Sequence, residues 1–330
     1  IIKKENKFMF SVVIPIYNKA HTIQRALKSV IDQTFTHFEI IIVDDGSTDN
    51  SIEKINKFTH DSRIKIIHQE NQGVSVARNI GVENAKYEYI AFLDGDDKWE
   101  SKYLETIHKA IKLYPNCGMF CCAGYFKNDL TKKTSLRLVD IYKEKITEIN
   151  YFKNPPVFSH TSATVVKKDD FNIVGGFPKG MKNNEDYALF SSIAIIKTVV
   201  YCGFPLSYYY GNVKGQSTTI NLNNSNKSNL DVCKRINLTY KLWNTLGRQN
   251  KIFKVFLKYE YRHYILTALK QNDYKTINLF LKNIDIGILN LFPYLEMKFY
   301  KIKLFKNWNQ LYINATKLLW RTRRYPRAGK

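Results

Sequence analysis

A chain of 330 residues can bury a full α/β core of about 200–250 residues and still carry a second element. Its 44% hydrophobic and 14% aromatic content excludes a disordered chain, which would lack the apolar surface to offset its ordering entropy. The net charge of +22 is unevenly spread: over residues 232–330, 21 Lys and Arg face only Glu260, Asp273, Asp285 and Glu296, so an anionic partner is to be sought at that end.

Over residues 10–126 short β-branched runs alternate with amphipathic stretches, the pattern of βα units around a mostly parallel sheet. Strands are predicted at 11–16, 39–43, 64–68, 89–93 and 118–125. Between the first two, Ile23, Ala26, Leu27, Val30 and Ile31 share one helical face, with Thr22 as the expected N-cap. Further helices are predicted at 49–57, 74–85 and 102–113. In such an architecture ligands settle at the carboxyl ends of the strands. After Lys127 the pattern loosens through a polar stretch, 128–154. It returns as a strand at 163–166, the loop Gly175-Gly176-Phe177, a helix near 185–196, and strand-like runs at 198–202 and 206–210. The Asn-, Ser- and Thr-rich run 211–229 reads as a loop leading to a boundary, which gives a catalytic domain over 1–225 and a basic helical region over 226–330.

The five cysteines form no Cys-x-x-Cys pair and read as reduced, buried apolar residues. No run approaches the 18 or so apolar residues of a membrane span, and the lysine-rich start lacks a signal-type cleavage site, so a cytoplasmic location is expected.

Three polar clusters interrupt the apolar runs. The first pairs Pro15-Ile16-Tyr17-Asn18 with Asp44-Asp45-Gly46-Ser47-Thr48-Asp49, each at a strand end. As turns these need only a Gly and a capping Ser47 or Asp49, but two carboxylates at the mouth of a parallel sheet can also accept a nucleobase N–H. The second is Asp94-Gly95-Asp96-Asp97. If the strand runs on this far, Asp94 and Asp96 project to the same side and can hold one hard cation together with diphosphate oxygens; the plainer reading is a turn capped by Asp97 or Ser101. The third, Asn183-Asn184-Glu185-Asp186, opens a helix. Acidic residues there complement the helix dipole, or one of them serves as general base toward an acceptor hydroxyl.

Val12-Val13-Ile14-Pro15-Ile16-Tyr17-Asn18, Val43 to Asp49, Asn71-Gln72-Gly73 with Ala77-Arg78-Asn79-Ile80-Gly81, Leu93 to Asp97, and Gly175-Gly176-Phe177 with Glu185-Asp186 resemble, in order and spacing, the family 2 glycosyltransferases. The resemblance covers about residues 10–220. It implies a GT-A nucleotide-diphospho-sugar transferase fold, a Rossmann-like mixed sheet flanked by helices, with a mainly α-helical C-terminal region. It further implies a nucleoside held by Pro15, Tyr17, Asn18, Asp44 and Asp45, with Asp45 favoured on the base. Arg78 would flank the nucleotide, Asp94 and Gly95 would lie at the ribose or metal, and Asp96 would be the ligand of Mn²⁺ or Mg²⁺. Asp186 is then the expected general base, with Glu185 in support, in an inverting transfer from a nucleoside diphosphate sugar, UDP-linked for preference, to a glycan or lipid-linked acceptor of a bacterial surface polysaccharide. The Gly175-Gly176-Phe177 loop would shape the acceptor side.

Many relatives carry an Arg after the tyrosine-rich strand; here Tyr208-Tyr209-Tyr210 leads to Lys214 and Ser217, which are expected to meet the diphosphate or acceptor. Among the histidines only His160, before the acceptor-side strand, is singled out. Residues Met297, Tyr300, Leu304, Trp308, Leu311, Ala315 and Leu318 fall at helical spacing among lysines, so an anionic membrane surface is the expected partner, against packing on the protein itself. No nucleic-acid motif accompanies the basic charge, and no Gly-rich triphosphate loop supports a nucleotidyltransferase. A homo-oligomer is left open.

Overall fold

The computed structural model describes residues 10–153, 155–213, 225–246 and 250–290. Among these, ten strands form one mixed sheet. They are β1 (Phe10–Ile16), β2 (Phe38–Asp44), β3 (Ile64–His68), β4 (Tyr89–Phe92), β5 (Lys98–Trp99), β6 (Met119–Asn128), β7 (Thr134–Arg137), β8 (Ile146–Ile149), β9 (Thr164–Lys167) and β10 (Val199–Gly211). The order is β3-β2-β1-β4-β9-β6-β10-β5, with β7 on β6 and β8 on β10. The β1, β2, β3 and β4 strands are parallel, whereas β9 runs antiparallel to both β4 and β6.

Every residue of β1 and β2 is buried, as expected of strands covered on both faces. Alternate side chains feed two cores. Val12, Ile14, Ile40 and Ile42 meet α1 (Ile23–Ile31) and α4 (Tyr103–Leu113); Val13, Ile41, Val43 and Phe92 meet α3 (Val74–Glu83) on the other face. Helix α3 lies so close to β1 that a Cβ on Gly81 would sit 2.3 Å from Val13 Cγ1, which is why that turn carries glycine. Helix α2 (Ser51–Asn56) follows β2. The chain leaves β1 toward β2 and β3 and then crosses back to β4 on the opposite side of β1. That reversal opens a crevice at the carboxyl ends.

The crevice widens for a local reason. The β1 pairing with β2 runs to Ile16 opposite Asp44, but the pairing with β4 ends at Val13 opposite Phe92. Val13 O still accepts from Leu93 N; two residues on, Pro15 has no N–H to offer on that side.

Past β9 come α5 (Pro155–Phe158), α6 (Lys168–Ile173) and α7 (Glu185–Ile196). Helix α7 is buried from Ala188 to Ile195 on all sides, because the sheet covers one side and the later helices the other. Those later helices are α8 (Ser225–Thr245), α9 (Lys251–Lys270), α10 (Tyr274–Asn283) and α11 (Ile286–Leu289). Val232, Ile236, Phe253, Leu257, Tyr261 and Phe280 belong to the same core as Phe92 and Phe190. The helices on the far side of the expected boundary near 225 thus add their apolar faces to the core of the sheet. Arg235 of α8, 1% exposed, is paired at both nitrogens with Glu260 of α9, 2.9 and 3.0 Å, which fixes the two helices together.

The structure departs from the sequence reading at several places. The polar stretch 128–154 contains β7, which is exposed throughout, and β8, which is half-buried; both are short and neither carries an apolar alternation to betray it. The two runs predicted at 198–202 and 206–210 are one strand, β10, with register shifts around Pro205, where the missing N–H breaks the ladder. Thr22 stands at the N-cap of α1 without a capping bond; its hydroxyl donates to Lys19 O instead. Neither Ser47 nor Asp49 occupies the N-cap of α2, which is Asn50, and α4 starts after Lys102 rather than from Asp97 or Ser101. All five cysteines are buried and unpaired, as expected. Among the described residues no helix is long and apolar enough to cross a membrane. Lys214, Ser217 and the stripe over 297–318 lie outside the described residues.

Candidate active site

The end of β1 and the turn after β2 are sewn together by side chains. Asn18, in the left-handed region with φ of 52°, accepts at Oδ1 from Thr48 N (2.8 Å) and Asp49 N (3.2 Å), and its own N–H donates to Ser47 Oγ (3.0 Å). Asp44 accepts from Ser47 N (3.0 Å) and stands 3.2 Å from His68 Nδ1. Asp45 accepts from Gln69 Nε2 (2.7 Å), Gln72 N (2.8 Å) and Gly73 N (2.9 Å), so it pins the segment that leads into α3. Gly46 turns the chain with φ of 75°, and a Cβ there would stand 3.0 Å from Asn71 N. Tyr17, 46% exposed, is left facing solvent at the rim.

Strand β4 stops at Phe92, before the acidic run, so strand alternation does not set the directions of Asp94 and Asp96. Tertiary partners do. Asp94 Oδ1 is bound by Arg78 Nη2 at 2.7 Å and Asp96 Oδ2 by Lys19 Nζ at 2.6 Å, while Arg25 donates to Asp96 O and lies 3.6 Å over the Tyr210 ring. Gly95 packs against Ile16 and Pro15 O at the end of β1. Asp97, fully buried, accepts from Tyr210 N (2.9 Å) and from Ser162 Oγ; burial, then the charges of Asp96 and Asp94, push its carboxyl well above the usual range. Ser162 Oγ also receives Asp94 N at 3.1 Å, which ties the acidic run to the turn that precedes β9.

Arg78, 4% exposed, is the link between this run and α7. Its Nη1 donates to Glu185 Oε1 at 3.0 Å, its Nη2 to Asp94, and its guanidinium lies 4.9 Å from the Phe177 centroid. Burial favours the neutral guanidine, but the charges of Asp94 and Glu185 outweigh it and hold the proton more tightly than usual. Asp186 accepts at Oδ1 from Tyr187 N (2.7 Å) and at Oδ2 from Thr161 Oγ1 (3.4 Å). Burial is the largest cause of a raised carboxyl pKa at both Asp186 and Glu185, opposed by Arg78. His160 points Nε2 toward Ser207 Oγ at 3.5 Å, and burial pushes its pKa down to about 3, so its imidazole is neutral at working pH.

The fold therefore brings Pro15, Tyr17, Asn18, Asp44, Asp45, Arg78, Asp94, Gly95, Asp96, Glu185 and Asp186 to one end of the sheet, with His160 beside Thr161 at its edge. Sequence reasoning missed Lys19, Arg25, Thr161 and Ser162. Lys19 follows the Tyr17-Asn18 motif directly and was open to notice; the others are found only through their spatial partners.

Residues 11–171 match the family model described as Glycosyl transferase family 2. A curated relative, the UDP-Glc:alpha-D-GlcNAc-diphosphoundecaprenol beta-1,3-glucosyltransferase WfgD of Escherichia coli, is 32% identical over 205 residues, 61% of this chain and 77% of that protein. The chain belongs to glycosyl transferase family 2. The glycosyltransferase GlyA of Streptococcus pneumoniae serotype 4 is 44% identical over 105 residues, 32% of this chain and 15% of that protein. Over GlyA and five further curated relatives the chain spans only 15 to 35% of their length. Among solved structures, S. aureus TarS 1–349 in complex with UDP-GlcNAc superposes with a TM-score of 0.68 at 19% identity, covering 85% of this chain and 82% of that one. The fold is that of the GT-A glycosyltransferases.

In this family 2 chain the motif residues Arg78, Asn79 and Phe177 support one another. Asn79 Nδ2 donates to Phe177 O and Asn79 Oδ1 accepts from Phe177 N, both at 2.9 Å, so the Gly175-Gly176-Phe177 loop is clamped beneath the Arg78 guanidinium. The loop expected to shape the acceptor side thus acts, in the structure, as a seat for Arg78. Asn79→Ala removes both bonds and leaves two backbone groups to find partners; a loss of about 1–3 kcal/mol is expected from the unsatisfied groups. Urea unfolding of the variant checks this, and an unchanged midpoint would count against the clamp.

Proposed function

We propose that this enzyme moves a sugar from a nucleoside diphosphate donor, UDP-linked, to a hydroxyl of a glycan or lipid-linked acceptor, with inversion, in the synthesis of a cell-surface polysaccharide. The observation that carries the reading is the Arg78 bridge, which holds Asp94 on the donor side and Glu185 beside the candidate base in one buried framework. The relatives support the donor and acceptor classes: WfgD is named for UDP-Glc and a diphosphoundecaprenol-linked acceptor, and TarS has been solved with UDP and with UDP-GlcNAc.

In this reading Pro15, Asn18, Asp44 and Asp45 form the cradle for the base, with the Tyr17 ring at its mouth. A carboxylate has about four lone-pair sites, and Asp45 uses three on its own loop, which leaves one, firmly oriented, for a nucleobase N–H. Asp186 accepts the proton of the acceptor hydroxyl as its oxygen attacks the anomeric carbon from the face opposite the nucleotide. One displacement forms the new glycosidic bond, releases the nucleoside diphosphate and inverts the centre. Arg78 keeps the adjacent Glu185 in place and limits the negative potential that would otherwise deter the nucleophile.

A divalent cation fits the donor chemistry of the site. Lys19 binds Asp96 through Oδ2 and Arg78 binds Asp94 through Oδ1, so Asp96 Oδ1 and Asp94 Oδ2 are the hard oxygens for a cation, and Mg²⁺ or Mn²⁺ commonly takes one or two carboxylates with substrate phosphates and water. Among the described residues no group of three or more His, Cys, Asp or Glu is arranged to hold a metal alone, so most of the shell would come from the diphosphate and water. When bound, the cation would neutralise charge on the leaving diphosphate, and Lys19 on Asp96 occupies the corresponding charge position. Lys214, Ser217 and His160 remain the proposed contacts of the diphosphate or acceptor. Residues 226–330 form the acceptor or membrane side of the enzyme, which works at the inner face of the cell membrane.

Asp96→Ala is expected to remove the Mn²⁺-dependent part of UDP affinity; titration calorimetry with and without Mn²⁺ reads it, and equal metal dependence in both proteins would refute the ligand assignment. Asp186→Asn should leave UDP binding intact and lower turnover by about 10²–10⁴, the usual worth of a positioned base. Because burial holds protons on Asp186 and Glu185 above the ordinary carboxylate values, the base form accumulates only as pH rises past those values. The acid limb of kcat/KM should therefore lie to the alkaline side of an exposed aspartate, and a limb at or below that position would contradict the assignment. Deleting residues 297–330 should release the protein from anionic vesicles in co-sedimentation while UDP release stays measurable; equal partitioning of both forms would defeat the membrane reading.

A further inference from the structure

The start of α7 is unusual in how it is held. Its N-cap, Asn184, lies in the left-handed region with φ of 66° and makes no side-chain capping bond, although the two residues that follow are Glu185 and Asp186. A helix start normally relies on such a cap to satisfy its leading amides and to fix the entry of the chain. Here a carboxylate from another helix does part of that work. Asp231 of α8, 4% exposed, accepts at Oδ2 from Lys182 N (3.0 Å) and Asn183 N (3.3 Å), the two amides directly before Asn184. One helical turn further along α8, Arg235 lies 4.3 Å from the centroid of the Tyr187 ring and is anchored by Glu260 of α9. Helix α8 therefore grips the chain on both sides of Glu185 and Asp186, at residues 182–183 by Asp231 and at 187 by Arg235. The spacing of the two gripping residues, i and i+4, puts them on one face of α8.

We propose that Asp231 is a positioning residue for the transfer reaction: by holding the amides of Lys182 and Asn183 it sets the direction in which the Glu185–Asp186 pair enters the site. The role rests on the assignment of Asp186 as the base. Asp231 touches neither donor nor acceptor, and its effect runs through the loop. A base displaced by about 1 Å loses on the order of 10² in rate without any change in the groups that bind the nucleotide, because proton transfer needs near-attack geometry. The nucleotide-binding ends of β1 and β2 make no use of this loop, so donor affinity and turnover should separate. The charge of Asp231 matters less than its oxygen, since a carboxamide oxygen can accept the same two N–H bonds.

The test uses the full chain and measures UDP release from UDP-glucose and from UDP-N-acetylglucosamine with water as acceptor, alongside UDP affinity by calorimetry. Asp231→Ala is expected to lower kcat by about 10–100-fold with UDP affinity within about threefold of wild type, and Asp231→Asn to recover most of the lost rate. Amide hydrogen exchange on the wild-type protein should find Lys182 and Asn183 as protected as the first turns of α7, a readout that holds even if the alanine variant does not fold. Wild-type turnover in Asp231→Ala overturns the proposal, as does a parallel fall of turnover and UDP affinity, no recovery in the asparagine variant, or fast exchange at both amides. Asp186→Asn run beside it separates the two assignments. Undiminished turnover there refutes the base, whereas an inactive Asp186→Asn with a fully active Asp231→Ala refutes only the positioning role.

Discussion

The arrangement of the site depends on one buried cation. Arg78 is 4% exposed and lies on α3, yet its two terminal nitrogens reach carboxylates on separate parts of the chain, Asp94 after β4 and Glu185 at the start of α7. Moving such a charge out of water costs several kcal/mol in a real protein, and only close, correctly oriented anions offset it. The cost makes the geometry selective: a conformation in which either carboxylate swings away leaves a guanidinium buried beside one anion too few. Phe177 below the guanidinium plane and the Asn79 clamp on Phe177 restrict it further. Three motifs far apart in the chain are thereby made interdependent.

The second constraint is the parting of β1 from β4. The two strands pair only as far as Val13 and Phe92, and Pro15 then removes the donor that could continue the ladder. The space so opened is bounded by carboxylates on both sides, and the structure relieves their mutual repulsion with Lys19 on Asp96 and Arg25 on the Asp96 carbonyl. Side chains with long flexible stems suit that task, because they can hold a carboxylate in place and still move away from it.

The C-terminal helices belong to this same economy of packing. Helix α7 is apolar on every side and could not stand at a surface; α8 and α9 cover the side the sheet leaves open. The residues that cover it also reach its polar end, where Asp231 and Arg235 bracket the acidic pair. Core formation and site geometry are thus joined in one helix, so the basic region after residue 225 contributes to the architecture of the enzyme whatever its outer surface binds.

The sequence by itself determined the parallel half of the sheet and the ends that carry the chemistry. Uninterrupted β-branched runs that stop at Asn18 and Asp44 can only be buried strands with polar mouths, and the helix periodicity over 23–31 needs no knowledge of the partner. The strand order beyond β4 was not legible, because β7 is exposed on both faces and β8 finds its partner, β10, only far along the chain. Nor was the site's electrostatic wiring. The spacing of Asp94 and Asp96 invited a common direction from strand alternation, yet β4 ends at Phe92 and the two carboxylates take their directions from Arg78 and Lys19. Periodicity reports which face a residue turns to its neighbours along one element. The partner of a buried charge is chosen by desolvation among groups that only the folded chain brings within reach, and that choice is made by tertiary structure alone.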